Sequence, residues 1–353
     1  VISHLPDCRK SPYAGTAHLT AEDLMKAAAY LKPGPPSVLV YQDLPDPECG
    51  PRDVVIDVHA ISIEGGDTLA RAGGMVRPDG KPHVGGYLAS GVICAVGSEV
   101  TDRHVGQRVA TSANTGSHAS KRAVRANSAW PVPDSLDLTR AACIPIPFGT
   151  ADDCLFEFGR LQAGESVLIH AGSSGVGLAA IQLAKRAGAT VLATASSAEK
   201  LERLKQYGLD HGINYTEGSF VNAAKELTGG GPNLVVDSVG GKNLELSMQC
   251  AAYRGRIVSM GSAGRDGHRP SIAGLLGQNK TLISYYQGAE LAAPSQRDRA
   301  RSNVQRLISL VAEGQLEVVI DRTYKLSEAA DAHAYIESRK QFGRVVLIPD
   351  ERA

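Results

Sequence analysis

The spacing of hydrophobic and polar positions changes twice along the chain. Between Met25 and Pro147 the apolar residues fall in short runs, such as Val54-Val-Ile-Asp-Val-His-Ala and Gly91-Val-Ile-Cys-Ala-Val-Gly. Gly and Pro interrupt these runs often, which predicts a compact all-β region of short strands closing as a barrel. From about Thr150 to Tyr286 the pattern alternates between two periods. Ser166-Val-Leu-Ile-His-Ala, Thr190-Val-Leu-Ala-Thr-Ala, Asn233-Leu-Val-Val-Asp-Ser and Arg256-Ile-Val-Ser-Met read as strands. Between them, 176–188 and 199–207 read as helices, with Gly188 and Gly208 marking their ends. Alternating strand and helix predict a parallel sheet with helices on both faces. Beyond Gly288 a helical stretch at about 298–313, a β segment, a short helix at 327–338 and a last strand at 343–348 return the chain to the first region. The expected organisation is an N-terminal extension over 1–24, a β domain over 25–149, an α/β domain over 150–287 and the return over 288–353. Met25 opens a strand-like segment, so 1–24 reads as an extension particular to this chain; a structured arm is the alternative.

The 353 residues suit two domains, and 43% hydrophobic content is ample for buried cores. With 37 basic and 37 acidic residues there is no global field to attract nucleic acid or an anionic membrane, and no basic run supplies one locally. No nucleic-acid or membrane partner is expected, since the apolar stretches stop short of the roughly 20 residues a span needs. The cysteines Cys8, Cys49, Cys94, Cys143, Cys154 and Cys250 are scattered without a C-x-x-C pair. That argues against a disulfide framework or a structural zinc site. With no signal-peptide pattern at the start, a cytoplasmic location is expected.

The strongest chemical signal is Leu168-Ile-His-Ala-Gly-Ser-Ser-Gly-Val-Gly-Leu-Ala-Ala, set between a predicted strand and a predicted helix. Gly172, Gly175 and Gly177 allow a tight turn and close approach of the backbone to a pyrophosphate, with Ser173, Ser174 and Val176 completing the loop. Ser174 stands where the plain fingerprint has its middle glycine. The helix N-terminus behind the loop offers unpaired N–H groups and the positive end of its dipole. A purely structural strand-to-helix turn is the alternative. The second strand of a site for NAD ends in an acid that binds the ribose hydroxyls. Here it runs out as Ala193-Thr-Ala-Ser-Ser, so Ser196, Ser197 and Lys200 are suited to a 2′-phosphate and NADPH is the expected cofactor. Ser197 also reads as the cap of a helix beginning near Ala198, which is compatible. A solvated surface charge is the alternative for Lys200.

The loop 171–177, His211-Gly-Ile-Asn-Tyr, Val236-Asp-Ser-Val-Gly-Gly and Gly343-Arg-Val-Val-Leu-Ile-Pro resemble the zinc-free quinone oxidoreductases of the medium-chain dehydrogenase/reductase superfamily. The resemblance covers about Met25 to Pro349. It implies an α/β protein with a GroES-like β-barrel catalytic domain and an inserted Rossmann-type, doubly wound parallel-sheet domain. It also implies a homodimer formed through sheet edges and a nicotinamide facing a cleft between the domains. By resemblance Tyr215 lies beside the 2′-phosphate, and Thr150 approaches the nicotinamide end. Val239 and Gly240, then Met260, Gly261 and Ser262, pass beneath the cofactor. Tyr285, Tyr286 and the turn Phe342-Gly343-Arg344 close the site. For each of these, packing or turn formation is the alternative.

The zinc enzymes of the superfamily bind their catalytic metal through Cys, a Gly-His-Glu motif and a second Cys. The matching positions here are Glu64, then Gly86-Tyr87-Leu88, then the vicinity of Phe148 and Gly149. No metal is expected, because catalytic zinc needs three protein ligands. The zinc-free relatives usually carry Asn where this chain has Glu64, and often Tyr where it has Leu69. Tyr87 and Glu64 are the candidates for donating a proton or orienting the substrate. A packed tyrosine with a locally satisfied hydroxyl and an exposed loop charge are the respective alternatives. The expected partner is a small conjugated acceptor, a quinone or an enone-like compound. Hydride transfer to a quinone is the first reading, and reduction of an activated C=C bond in an enone, alkenal, acrylate or enoyl thioester is the alternative. A cofactor-binding protein without turnover is a third.

Overall fold

A computed structural model describes residues 24–73 and 79–353. The expected extension lies outside the described residues, except for Leu24, which opens the first strand. The chain divides into two compact units. One takes the described residues within Val1–Cys143, Arg322–Arg339 and Val345–Ala353; the other takes Ile144–Asp321 and Lys340–Arg344.

The first unit runs β1 (Leu24–Tyr30), β2 (Val40–Pro45), β3 (Asp53–Ser62), α1 (Gly65–Gly73), β4 (His83–Val84), β5 (Leu88–Val96), β6 (Arg108–Ser112), β7 (Lys121–Arg125), β8 (Ala129–Pro131) and α2 (Leu138–Ala141). The second runs α3 (Pro147–Asp152), a π-helical turn at Asp153–Glu157, β9 (Ser166–Ile169), α4 (Gly175–Arg186), β10 (Thr190–Ala195), α5 (Ala198–Lys205), β11 (His211–Asn214) and α6 (Phe220–Thr228). It continues through β12 (Leu234–Asp237), α7 (Gly241–Cys250), β13 (Arg256–Ser259), β14 (Thr281–Ser284), α8 (Gln287–Ala292) and α9 (Arg297–Ala312). Three elements close the chain: β15 (Ile320–Lys325), α10 (Ala329–Glu337) and β16 (Arg344–Ile348).

In the first unit β2-β1-β4 form a small sheet, and β15-β16-β3-β5-β6-β8 a larger one with β7 also paired to β3. The pairs of β3 with β5, β7 and β16 are antiparallel. Strand β3 supplies the period-2 pattern: Val54, Ile56 and Val58 point into a core with Ile93, Val109, Val124 and Leu347. The register of β3 against β5 shifts twice, between Val55 and Ile56 and between Val58 and Ala60. Gly91 sits there because a Cβ would run into the Asp57 carbonyl.

The second unit holds a six-stranded sheet in the order β11-β10-β9-β12-β13-β14. All its neighbours are parallel. Val167, Leu168 and Ile169 of β9 and all four residues of β12 are buried, as strands covered on both faces require. The order reverses between β9 and β12. The loops leaving the carboxyl ends of these two strands therefore flank a topological switch point, where open α/β sheets take their ligands. The second unit also keeps 288–321, which the sequence assigns to the C-terminal return. The reason is α9: its buried stripe Ala300, Val304, Leu307, Ile308 and Val311 packs towards α3, where Gly149 faces Val304. Among the described residues no helix is long and apolar enough to cross a membrane.

Candidate functional site

The loops expected to hold a dinucleotide lie in the second unit, after the carboxyl ends of β9, β10, β12 and β13. The chain leaves β9 through His170 and turns at Ala171 in a left-handed conformation (φ 52°). Ser174 then caps α4, its Oγ accepting from Gly177 N–H at 3.0 Å. That leaves the N–H groups of Gly175 and Val176 without intrahelical acceptors, as at any helix start. Each loop glycine is there for space. A Cβ on Gly172 would come within 2.8 Å of Ala193 Cβ and 2.9 Å of Leu204 Cδ1. One on Gly177 would meet the carbonyls of Ala171 and Gly172, and one on Gly175 would strike the Arg344 side chain. The loop is completed from far along the chain, since Gly343 N–H donates to Ser173 carbonyl at 2.8 Å and Ser174 bridges Gly343. A cradle kept free of side chains, a capped helix N-terminus and an adjacent guanidinium fit a pyrophosphate.

The end of β10 carries no carboxylate. Ser196 is exposed, and Ser197 caps α5 by accepting from Lys200 N–H at 3.3 Å, the expected capping role. Tyr215 N–H donates to the Ala195 carbonyl at 3.2 Å, just past the last register pair Ala195–Asn214, and its side chain is 47% exposed. Lys200 is half-buried and its ammonium donates to the Gln341 carbonyl at 3.0 Å, so it is not the freely solvated charge considered above. Burial lowers its pKa.

Gly240 adopts φ 72° at the start of α7, and a Cβ there would lie 2.8 Å from Gly261 carbonyl. Val239 and Gly240 donate their N–H groups to Asp237 Oδ1 at 2.8 and 2.9 Å. Met260 N–H donates to the Asp237 carbonyl at 2.9 Å, placing Met260, Gly261 and Ser262 beside that loop. Thr150 is buried within α3.

Two of the residues expected to close the site are placed otherwise. Tyr285 is 4% exposed and its hydroxyl donates to Asp153 Oδ2 at 2.8 Å; burial and that carboxylate push its pKa far up. Phe342 is 1% exposed, with the Arg203 guanidinium 3.8 Å from its ring centroid. Each ring is buried by neighbours in its own unit. Tyr286 stands exposed beside Tyr285.

The candidates Glu64 and Tyr87 lie in the first unit. Glu64 is buried rather than an exposed loop charge. Its N–H donates to Asp67 Oδ2 at 2.8 Å, and Thr68 Oγ1 donates to Gly65 carbonyl at 2.9 Å, winding the segment straight into α1. Tyr87 is half-buried, its hydroxyl 3.4 Å from the Gly66 carbonyl. Beneath it lies Arg122, which donates to the Tyr87 and Thr115 carbonyls at 2.9 Å and to Thr111 Oγ1 at 3.1 Å. Burial brings the pKa of Arg122 down to about 9. Gly86, at φ 96°, fits against His118, whose Nε2 lies 2.9 Å from Nε2 of His333. Burial and the Arg122 charge push His118 down to about 3, and burial holds His333 well below the ordinary value. Arg122 could have been found from the sequence, because it shares the inward face of β7 with Val124. The histidine pair is joined across distant segments and had no such signal. Among the described residues no group of three or more His, Cys, Asp or Glu side chains gathers to hold a metal.

A glycine-rich βα turn at the switch point of a six-stranded parallel sheet, in a chain that also carries an antiparallel β unit, defines a two-domain dinucleotide-dependent oxidoreductase. Residues 50–134 match the model of the alcohol dehydrogenase GroES-like domain, and 175–301 match that of the zinc-binding dehydrogenases. The chain is 34% identical to the quinone oxidoreductase of Pseudomonas aeruginosa, over 91% of this chain and 98% of that one. It is 32% identical to a 2-haloacrylate reductase from Burkholderia sp., over 92% and 99%. Its fold superposes with a TM-score of 0.84 on the Escherichia coli quinone oxidoreductase solved with NADPH, at 29% identity over 92% and 100% of the two chains. The chain belongs to the quinone oxidoreductase family of the medium-chain dehydrogenase/reductase superfamily.

Proposed function

We propose that this oxidoreductase uses NADPH to reduce a quinone without the help of zinc. The observation that carries the cofactor is the end of β10, where no acid stands and Ser196 is exposed; Lys200 on the first turn of α5 and Tyr215 after β11 complete the reading. A 2′-phosphate there offsets the cost of burying the Lys200 ammonium. The glycine-rich turn, the Gly175 and Val176 N–H groups and Arg344 hold the pyrophosphate. Val239, Gly240, Met260, Gly261 and Ser262 line the cofactor's path, and Thr150 approaches its nicotinamide end. Bound NADPH supplies the hydride. Tyr87 or Glu64 delivers the proton or orients the acceptor. Zinc independence rests on Glu64, Tyr87 and Leu88 at the family's ligand positions, since three zinc ligands are needed and these do not supply them.

Reduction of an activated C=C bond is the second reading, favoured by the similarity to the 2-haloacrylate reductase. Both reactions deliver one hydride and one proton to a conjugated acceptor. A panel of quinones, enones, alkenals, acrylates and enoyl thioesters, run with NADPH and NADH in parallel, tests the reading. Turnover of quinones with a preference for NADPH is expected. A preference for NADH overturns the cofactor assignment, turnover confined to the C=C substrates selects the second reading, and NADPH binding with no turnover on any acceptor removes catalysis. Tyr87→Phe and Glu64→Gln are each expected to lower turnover while leaving NADPH affinity unchanged; unchanged kinetics in both removes them from the mechanism.

The proposal includes a cytoplasmic homodimer. In its support, β14 is an edge strand with Leu282 exposed, and Ile272 and Leu276 are exposed on the segment that precedes it. Sedimentation as a monomer at micromolar concentration overturns that part.

A further inference from the structure

Directly beneath the glycine-rich turn lies a buried chain of polar side chains that none of the roles above uses. His170 is the residue between β9 and the turn, and it is 2% exposed. Its Nδ1 lies 3.1 Å from Thr194 Oγ1 and its Nε2 lies 3.0 Å from Ser247 Oγ. Phe220 packs edge-on against the imidazole, with centroids 4.7 Å apart. Ser247 Oγ is 2.7 Å from Asp237 Oδ2, which also accepts from Asn243 Nδ2 at 3.0 Å. The other oxygen of Asp237 accepts the Val239 and Gly240 N–H groups. At the opposite end, Ala171 N–H donates to Thr194 Oγ1 at 3.3 Å.

The direction of every proton in this chain follows from its ends. Asp237 is fully buried and takes four donors, so Ser247 gives it the hydroxyl proton. The Ser247 oxygen is then the acceptor for an Nε2–H of His170, and Nδ1 of His170 carries the lone pair. Thr194 donates its hydroxyl proton to that lone pair, and its oxygen is free to accept from Ala171. The polarity runs one way from the Ala171 N–H, through Thr194, His170 and Ser247, to Asp237. The ends of the chain are the two loops that flank the switch point, 171–177 and 239–240.

We propose that His170, as the neutral Nε2–H tautomer, is a positioning residue that holds these two loops in the spacing the dinucleotide requires. It makes no contact with the cofactor itself. Ala171 is the residue whose left-handed conformation starts the turn, so a lost acceptor for its N–H loosens the turn where the pyrophosphate sits. Gly240 is likewise pinned by the carboxylate at the far end. Without His170 the Thr194 and Ser247 hydroxyls each lose a buried partner, and the two loops are no longer coupled. Burial lowers the His170 pKa, in keeping with a neutral ring, and Asp237 is the charged group facing it through Ser247. The proposal rests on the reading that this unit binds NADPH.

The experiment is a fluorescence titration of NADPH against the wild type, Thr194→Val, Thr194→Ser and His170→Gln, with thermal unfolding of the ligand-free proteins alongside. Thr194→Val keeps the shape and removes the hydroxyl; a Kd raised about tenfold is expected. Thr194→Ser restores the hydroxyl and is expected to return within twofold of the wild type. His170→Gln can set its amide NH2 at the Nε2 position to donate to Ser247 but then offers no acceptor at the Nδ1 position facing Thr194, and it is expected to behave as Thr194→Val does. A merely structural role moves the unfolding temperature and leaves Kd alone. Folded Thr194→Val and His170→Gln proteins with Kd within twofold of the wild type overturn the proposal, as does a serine variant no better than valine. Nitrogen-15 spectra of the histidine-labelled wild type do not depend on any variant folding; a His170 ring protonated at Nδ1 instead of Nε2 overturns the proposal. Failure of the wild type itself to bind NADPH overturns the cofactor reading, and this proposal with it.

Discussion

Acid should destabilise the first unit through one identifiable side chain, His118. The ring is 1% exposed, and burial together with the Arg122 charge pushes its pKa down to about 3. In the unfolded chain the same imidazole titrates near 6.5. Below that value the unfolded state takes up a proton that the folded state refuses. The stability associated with a neutral His118 is complete above about pH 6.5 and is lost progressively as the pH falls towards 3. Two pH units below the ordinary value, at about pH 4.5, the loss from this one residue is on the order of 3 kcal/mol. His333 shares the Nε2–Nε2 hydrogen bond and shifts in the same direction, so it adds to the acid sensitivity. The His118→Gln variant keeps an amide able to meet His333 and removes the titration. Urea unfolding of both proteins, followed at intervals from pH 8 to 4.5, separates the two effects. The wild type is expected to lose about 3 kcal/mol more than the variant over that range. Parallel pH profiles for the two proteins would refute the reasoning, because they would mean that His118 takes up its proton equally in both states.

Two further outcomes follow from the geometry. Gly177→Ala places a methyl against the backbone carbonyls of Ala171 and Gly172, which cannot yield as a side chain would. NADPH affinity is expected to fall at least tenfold by fluorescence titration, a loss of about 1.4 kcal/mol or more; an unchanged Kd refutes the cradle. Burial raises the thiol pKa of Cys154 and Cys250, and Cys143 is equally inaccessible, whereas Cys49 is exposed. Mass mapping after brief treatment with a thiol reagent is expected to find Cys49 labelled, with Cys143, Cys154 and Cys250 reacting only in denaturant.

What could be read from the sequence was what is local. Strand β10 occupies the expected 190–195, and α5 begins at Ala198 behind its Ser197 cap, because cap chemistry is written in neighbouring residues. The glycine-rich turn was legible for the same reason. The burial of Tyr285 and its partner were not. The Tyr285 hydroxyl meets Asp153, more than a hundred residues away in sequence, and no periodicity carries such a pairing. The return to the first unit was placed too early because an amphipathic helix such as α9 shows that it has an apolar face, not which surface covers that face. His170 stood in plain view within the fingerprint, yet its partners Thr194, Ser247 and Asp237 come from three other elements.

The bond from Gly343 N–H to the Ser173 carbonyl sets an order of events during synthesis. The strands and helices of the nucleotide unit leave the ribosome as one continuous stretch, Ile144–Asp321, and vectorial folding can assemble the sheet from them. The phosphate turn remains unfinished at that stage. Its backbone partner, the carbonyl that receives the Lys200 ammonium and the guanidinium that faces Gly175 all arrive with Lys340–Arg344, after Arg322–Arg339 have been added to the other unit. A nascent chain stalled before Lys340 therefore lacks all three of these contacts to the turn, whatever the rest of the unit has already formed.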